Sequence, residues 1–281
     1  MLKRPNWNSS DHDPEEFRLS LVGHLEELRK RIIRSLGYCL AGFAIGWFQF
    51  PIVFNLLTDR AATAVNKQLI PRGKKYEEII LHMPDAFFLV FKVSAYVGLI
   101  IALPFIVVEL WGFIAPGLKP AEQKPFKRLA PVSGFLFVLG AFFCWMILPE
   151  AFKWFASYID YFPGVDIKQE AGSMAMLSLK SLLAFGIGFQ LPLVVYVLGA
   201  LNLLSAQTLI KYWRHAAVAI FFLAGAITPS NDPISMLAIA IPMTGLFAIS
   251  VYAVKFTQKG RPPEAFLWSE PEELPAGNDS V

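Results

Sequence analysis

The sequence predicts an all-α protein that crosses a membrane six times. Of its 281 residues, 55% are hydrophobic and 17% are charged, and the mean hydropathy is +0.49. That composition is too apolar for a soluble domain of this length. The apolar residues form long runs, comparable with the ~20 residues that cross ~30 Å of hydrocarbon as a helix. The runs occupy residues 32–54, 86–115, 129–149, 174–201, 213–227 and 234–254.

The polar N-terminal segment, residues 1–31, is predicted to contain an amphipathic helix that leads into the first span. Asp13 is a suitable N-cap, and Pro14 suits the first helical position. The segment has no apolar signal-peptide core, so the first span is expected to remain as an anchor. The apolar positions that recur at helical spacing are Leu21, Leu25, Leu28 and Ile32.

The second and fifth runs differ in length from an ordinary span. Residues 86–115 would extend about 45 Å as helix, so either Pro104 kinks this helix or its ends stand clear of lipid. The fifth run gives only about 20 Å from His215 to Ile227 and is expected to thin the bilayer beside it. The fifth and sixth spans are therefore expected to be short or kinked.

The distribution of Lys and Arg predicts that both termini are cytoplasmic. Basic groups near the span ends fall on one side if the runs alternate, and cytoplasmic loops carry the excess of basic residues. The 55–85 loop weakens this orientation because it is also basic, although acidic residues partly offset it. Residues 32–258 form the predicted membrane domain, and the polar residues 259–281 a disordered cytoplasmic tail. The basic groups lie at residues 29–34, 119–128, 211–214 and 255–261.

No motif in the chain indicates catalysis, a metal or a cofactor. Walker A, HExxH, GxSxG and CxxC sequences are absent, which argues against nucleotide-driven transport and common hydrolytic chemistry. Cys39 and Cys144 lie in apolar runs and are interpreted as small buried hydrophobes. The net charge of +3 is dispersed between runs, so no nucleic-acid surface is expected.

Charged residues near the predicted cytoplasmic face allow both structural and functional interpretations. Glu27 precedes Arg31 by four residues, and Glu26 precedes Lys30 likewise, which suits ordinary ion pairs on a helix surface. Glu122 could pair locally with a neighbouring lysine. Glu109, at the end of the second run, is assigned no special role.

Polar residues inside the runs are equally open to two interpretations. Gln190 lies midway along the fourth run, where its amide needs a partner that hydrocarbon does not offer. It could satisfy a kink or a helix contact, or it could serve function. Lys92 and Lys180 are interpreted as lysines that extend their ammonium groups to the interface.

Several stretches, in order along residues 20–258, resemble the TatC family, the receptor subunit of the twin-arginine protein translocase. The resemblance extends to Gly140 and Pro149 around the third run. It also includes Thr228, Pro229, Asp232, Ser235 and Pro242 around the last turn. The longer stretches are His24–Arg31, Phe113–Leu118 followed by Glu122, and Phe185–Pro192.

The resemblance implies a receptor with both termini in the cytoplasm, located in the cytoplasmic (inner) membrane. It implies that Glu27, Arg29 and Glu122 bind the paired arginines of a signal peptide on folded cargo, and that Phe189 and Gln190 contact a partner helix. A guanidinium fork suits bidentate binding by carboxylates, which an ammonium cannot match. Structural or assembly roles are implied for Phe113, Pro116, Pro192 and Asp232.

The partners implied by the resemblance are single-span proteins of the TatA and TatB types, twin-arginine signal peptides, and further copies of the chain. Transport would be driven by the proton-motive force. The sequence departs from the family at Ala248, where a glutamate is frequent, and at Ser230–Asn231, which lengthen the last turn.

Two other functions remain open from the residues alone. A secondary transporter would predict related halves with broken helices and an ion site at the midplane, and Gln190 is the one strongly polar candidate for such a site. An intramembrane enzyme would need a nucleophile and a base, and no such pair stands out.

Overall fold

The computed structural model describes residues 14–74, 76–114, 120–162, 167–201, 203–227 and 233–258. It describes the backbone alone for residues 14–21, 72, 114, 120–128, 130, 160, 167, 227, 234 and 235. Within these residues the chain forms nine α-helices and two short β-strands. The helices are α1 (Pro14–Phe48), α2 (Phe50–Leu69), α3 (Met83–Ile114), α4 (Pro120–Ser157), α5 (Ser173–Gly188), α6 (Leu191–Ala200), α7 (Ala206–Lys211), α8 (Trp213–Ile227) and α9 (Pro233–Thr257); the strands are β1 (Tyr76–Ile79) and β2 (Ile167–Glu170).

Four helical stretches in the described part of the chain are long and apolar enough to cross a membrane. A fifth is obtained if α1 and α2, which bend by 73° at their junction, count as one span. Helix α8 is apolar but has 15 residues, or about 22 Å. The described chain is therefore a helical membrane protein with four or five long apolar spans. The four stretches are Met83–Phe113, Pro131–Ser157, Ser173–Ala200 and Met236–Thr257.

Helix α2 lies where the sequence analysis expected a loop. Pro51, in its first turn, has no N–H to donate to the carbonyl of Trp47, so the first helix ends at Phe48. One face of α2 is buried and packs against residues of α4 and α5 that include Phe152 and Met174. Small residues form much of that face, which made its helical periodicity weak. Its buried positions include Leu57, Ala61, Ala64, Val65 and Leu69.

The two strands correct the expectation of an all-α chain. They pair in parallel, from Tyr76 opposite Ile167 to Ile79 opposite Glu170. Four residues each are too few to show a clear alternation in the sequence. The Tyr76 hydroxyl donates to Glu78 at 2.8 Å, and burial, followed by this bond and the Glu78 charge, raises the pKa of the phenol well above its usual range. We call this end of the helix bundle the sheet end.

The fourth apolar run is broken, whereas the second and sixth are continuous. Helix α5 ends at Gly188 and α6 begins at Leu191. Pro192 cannot donate to the Gly188 carbonyl, which favours a break at this point. Pro104 lies inside the 32-residue helix α3, and Pro242 lies inside the 25-residue helix α9.

Glycines let α1 and α3 approach until their backbones touch. A Cβ placed on Gly98 would lie 2.5 Å from the Phe43 nitrogen, and one placed on Gly42 would lie 2.5 Å from the Gly98 carbonyl oxygen. No L-residue with a side chain fits either position without moving a helix. This close contact brings the N-terminal half of α1 against the last turn of α3, where the candidate site is formed.

Candidate functional site

The end of the bundle opposite the strands contains an ion-pair network centred on Arg31. Its Nη2 donates to Glu27 Oε1 at 2.6 Å, and its Nε donates to the same oxygen at 3.1 Å. Its Nη1 donates to Glu109 Oε2 at 2.9 Å. Arg31 therefore joins a carboxylate one turn earlier on α1 to another near the end of α3.

The last turn of α3 is shaped to receive this guanidinium. Arg31 Nη2 also donates to the carbonyl of Gly112 at 2.8 Å, and carbonyls at a helix C-terminus attract cations. A Cβ at position 112 would collide with the guanidinium, so glycine makes the contact possible. Tyr38 donates to Glu109 Oε1 at 3.4 Å, and Arg34 lies 3.7 Å from that oxygen.

Glu27 remains partly accessible beside this network. Its side chain is 31% exposed, and Oε2 lies 3.9 Å from His24 Nδ1. The His24 ring stacks on Phe113, with centroids 4.2 Å apart and planes inclined by 17°. Oε1 is thus occupied by Arg31, whereas Oε2 faces a more open position on a wall formed by α1 and the end of α3.

The structure places the other expected binding residues as follows. Arg29 is exposed on α1 and makes no ion pair with the described residues. Glu122 lies in the first turn of α4, but its side chain is outside the described part, and Pro116 and Asp232 are wholly outside it. The expected proximity of Glu27 and Glu122 therefore stays a prediction.

Glu109 is a residue of this site that the sequence analysis left without a role. It is 9% exposed and forms ion pairs with Arg31 and Arg34 of α1. A carboxylate in an apolar run calls for a partner, which was the available signal. The other surface pair that the sequence analysis expected, Glu26 with Lys30, is not formed. Both side chains are exposed and make no ion pair within the described residues.

Gln190 is bonded within the chain at both ends of its amide. Ser133 Oγ donates to Gln190 Oε1 at 2.7 Å, and Gln190 Nε2 donates to the Ser133 carbonyl at 3.1 Å. Ser133 lies on α4 and is fully buried. The amide thus ties the break between α5 and α6 to α4, as the structural interpretation of this residue expected.

Phe189 and Pro192 flank Gln190 in different surroundings. Phe189 is 1% exposed and packs with Phe143 and Cys144 in the core, so the surface of the chain does not offer its ring to a partner. Pro192 lines an apolar groove of about 610 Å³ between α4, α6 and α9, which we call the α6–α9 groove. Other residues that line it are Leu136, Leu193, Tyr196, Leu246 and Ile249.

No group of three or more His, Cys, Asp or Glu side chains within the described ranges is placed to hold a metal ion.

Comparison with known proteins places this chain in a family. The family model described as "Sec-independent protein translocase protein (TatC)" matches residues 23–242. A protein of that name from Carboxydothermus hydrogenoformans is 34% identical over 86% of this chain and 95% of its own length. The one from Deinococcus radiodurans is 31% identical over 85% and 86%.

Solved structures agree with the sequence match. The chain is similar to a crystal structure titled as the twin arginine translocase receptor TatC, with a TM-score of 0.63 and 28% identity over 84% of this chain and all of that one. A second structure of that receptor, in the detergent DDM, gives 0.64 and 30% over 82% and 98%. The chain therefore belongs to the TatC family of Sec-independent protein translocase proteins.

Proposed function

We propose that this chain is the receptor that binds twin-arginine signal peptides of folded cargo, and that it does so at Glu27. The observation that carries the proposal is the half-occupied carboxylate: Arg31 takes Oε1, and Oε2 remains open beside His24. The similar crystal structures are those of the twin arginine translocase receptor TatC. Glu122 and Arg29 belong to the same proposed binding surface.

The proposed topology has six spans with both termini in the cytoplasm, in the cytoplasmic membrane. The spans are α1, α3, α4, α5 with α6, the short α8, and α9. Two contacts support the alternation: β1, after α2, pairs with β2, after α4, and Glu27, before the first span, meets Glu109 at the end of α3 through Arg31. The basic groups then face the cytoplasm.

The chemistry of the site suits an arginine better than a lysine. A guanidinium presents two N–H groups in one plane, so it can bind Glu27 Oε2 and a second carboxylate together, whereas an ammonium acts as a point charge. In the proposal Glu122, in the first turn of α4, supplies the second carboxylate. The flat stack of His24 on Phe113 gives the peptide a rigid wall to lie against.

Binding of paired-arginine and paired-lysine peptides to the purified chain tests this proposal. We expect Glu27→Gln and Glu122→Gln each to lower the affinity for the paired-arginine peptide about tenfold to a hundredfold, because a charge-assisted hydrogen bond is worth roughly 1.5 to 3 kcal/mol. Glu26→Gln is the matched control, since Glu26 is exposed on the same turn and makes no ion pair with any residue that the structure describes. Wild-type affinity in the double variant, or equal affinity for both peptides, would refute the site.

We further propose that TatA- and TatB-type single-span helices bind in the α6–α9 groove near Gln190. In this proposal copies of the chain also associate in a larger complex, and the proton-motive force drives transport. The groove is apolar and as long as a few helical turns, which suits a partner helix. Ala248, where a glutamate was expected, is exposed on α9 next to the groove residue Ile249.

Gln190→Leu is expected to weaken crosslinking of the partner helix while the chain still folds. Each polar contact between membrane helices is worth about 0.6 to 2 kcal/mol, and Leu keeps the volume. Because Gln190 also bonds Ser133, the control is Ser133→Ala, which removes the hydroxyl donor but leaves the glutamine free to bind a partner. Equal loss of crosslinking in both variants would assign Gln190 to the internal contact alone.

A further inference from the structure

A polar cavity, distinct from the apolar α6–α9 groove, lies near the sheet end between α3 and α5, at the opposite end of the bundle from Glu27. Its volume is about 570 Å³. It is lined by charged residues of both signs together with apolar and aromatic side chains. Those that matter here are Asp85, Phe88 and Lys92 from α3, and Glu170, Ser173 and Lys180 from β2 and α5.

The two lysines lack partners within the described residues. Neither Lys92 nor Lys180 makes an ion pair or a hydrogen bond there. Lys92 is nine residues into α3 and Lys180 seven residues into α5. Side chains on a helix lean toward its N-terminus, and both N-termini are at the sheet end, so both ammonium groups extend into the cavity toward that end. Two unpaired cations beside apolar walls favour an anion between them.

The start of α5 adds donors to the same wall. Its N-cap is Gly172, with φ 82°, which offers no side-chain cap. Ser173 Oγ is buried and has no hydrogen-bond partner among the described residues. Gly172 and Ser173 line the cavity, so the positive end of this 16-residue helix lies at its wall. Phosphate is one of the anions that ammonium groups and a helix N-terminus bind.

The acidic residues lie closer to the sheet end than the lysines do. Asp85 precedes Lys92 by seven residues, about 10 Å along α3. Its Oδ2 accepts the N–H of His82 at 3.0 Å, which leaves Oδ1 open. Glu170 is exposed and ends β2, just before α5. The cavity is thus positive where it is deeper in the helices and negative nearer the surface.

This order of charges matches one kind of membrane lipid. In phosphatidylethanolamine the phosphate lies next to the glycerol and acyl chains, and the ammonium lies outside it. The side chain of Phe88, 52% exposed, provides an apolar surface for the acyl chains beside the cavity. We propose that this cavity binds one phosphatidylethanolamine headgroup, with its phosphate on Lys92 and Lys180 beside the start of α5 and its ammonium on Asp85 and Glu170.

Native mass spectrometry of the full chain, purified in a mild detergent and titrated with defined lipids, tests the proposal. Lys92→Gln with Lys180→Gln should lower the affinity for phosphatidylethanolamine about tenfold or more, as expected for loss of charge-assisted bonds. Lys67→Gln should leave it unchanged, because Lys67 is an exposed lysine of the same end that lines a different cavity.

Comparison of two lipids tests the proposed contact of the lipid ammonium with Asp85 and Glu170. Wild type should prefer phosphatidylethanolamine to phosphatidylglycerol, and Glu170→Gln should remove that preference. The proposal is overturned if the lysine double variant keeps its lipid, if phosphatidylglycerol binds as tightly to wild type, or if inorganic phosphate displaces the lipid and so shows a site for the free anion. Since peptide binding at Glu27 is measured separately, neither result depends on the other.

Discussion

Gly98→Ala is expected to lower the stability of the chain by about 2 kcal/mol or more, because overpacking a tight contact typically costs 1 to 3 kcal/mol. The new methyl group would lie 2.5 Å from the Phe43 nitrogen and 2.8 Å from its Cα. Both are backbone atoms, so no side-chain rotation relieves the collision. Helices α1 and α3 must separate instead, which also moves Arg31 away from Glu109. Thermal unfolding in detergent measures the loss.

Gly245→Ala is the matched control for this experiment. Gly245 lies inside α9, and a Cβ placed there meets nothing within 4 Å. Alanine is the better helix former by up to about 1 kcal/mol, so this variant should be as stable as wild type or more so. If both variants behave alike, the close approach of α1 and α3 does not limit stability.

Arg31→Met is expected to destabilise the chain by about 3 kcal/mol, since it breaks a buried ion pair and leaves the carboxylate only a weaker pair with Arg34 at 3.7 Å. The charge in question is on Glu109, whose side chain is 11% exposed. Methionine keeps the length and packing of the arginine stem, so the loss reports the charge. Unfolding temperature and the yield of monodisperse protein measure it.

Adding Glu109→Gln to Arg31→Met should restore stability. In the Arg31→Met background it removes the weakly paired charge, so most of the loss should be recovered. Arg29→Met serves as the control because Arg29 is exposed on the same helix and forms no ion pair in the described part of the chain. An unfolding temperature that is unchanged in Arg31→Met, or no recovery in the double variant, would contradict a structural role for the network.

The apolar runs predicted the long helices well but missed where the chain bends. Runs two, three and six correspond to α3, α4 and α9. A run of about twenty apolar residues that crosses a membrane forms a helix, because a helix satisfies its own backbone hydrogen bonds. The bend at Gln49 and helix α2 were missed. A single proline after a continuous apolar run determines the bend, and small residues blur the period of α2.

At the candidate site, local pairs could be predicted and distant ones could not. Glu27 and Arg31 are one turn apart, so their pairing follows from helix geometry alone. Glu109 is 78 residues from Arg31, and only the glycine contact between α1 and α3 brings them together. Ser133 and Gln190, 57 residues apart, show the same limit. The unexpected strands likewise depend on two loops meeting at one end of the bundle.

Under the proposed function, the position of Arg31 on Glu27 also bears on how long a signal peptide stays bound. A carboxylate that already holds an internal guanidinium attracts a second one less strongly than a free carboxylate would, because its charge is half neutralised. Under the proposed function, when the peptide leaves, Arg31 still holds Glu27, so departure uncovers no bare charge. If the proposed site is correct, it therefore favours short residence times of the signal peptide.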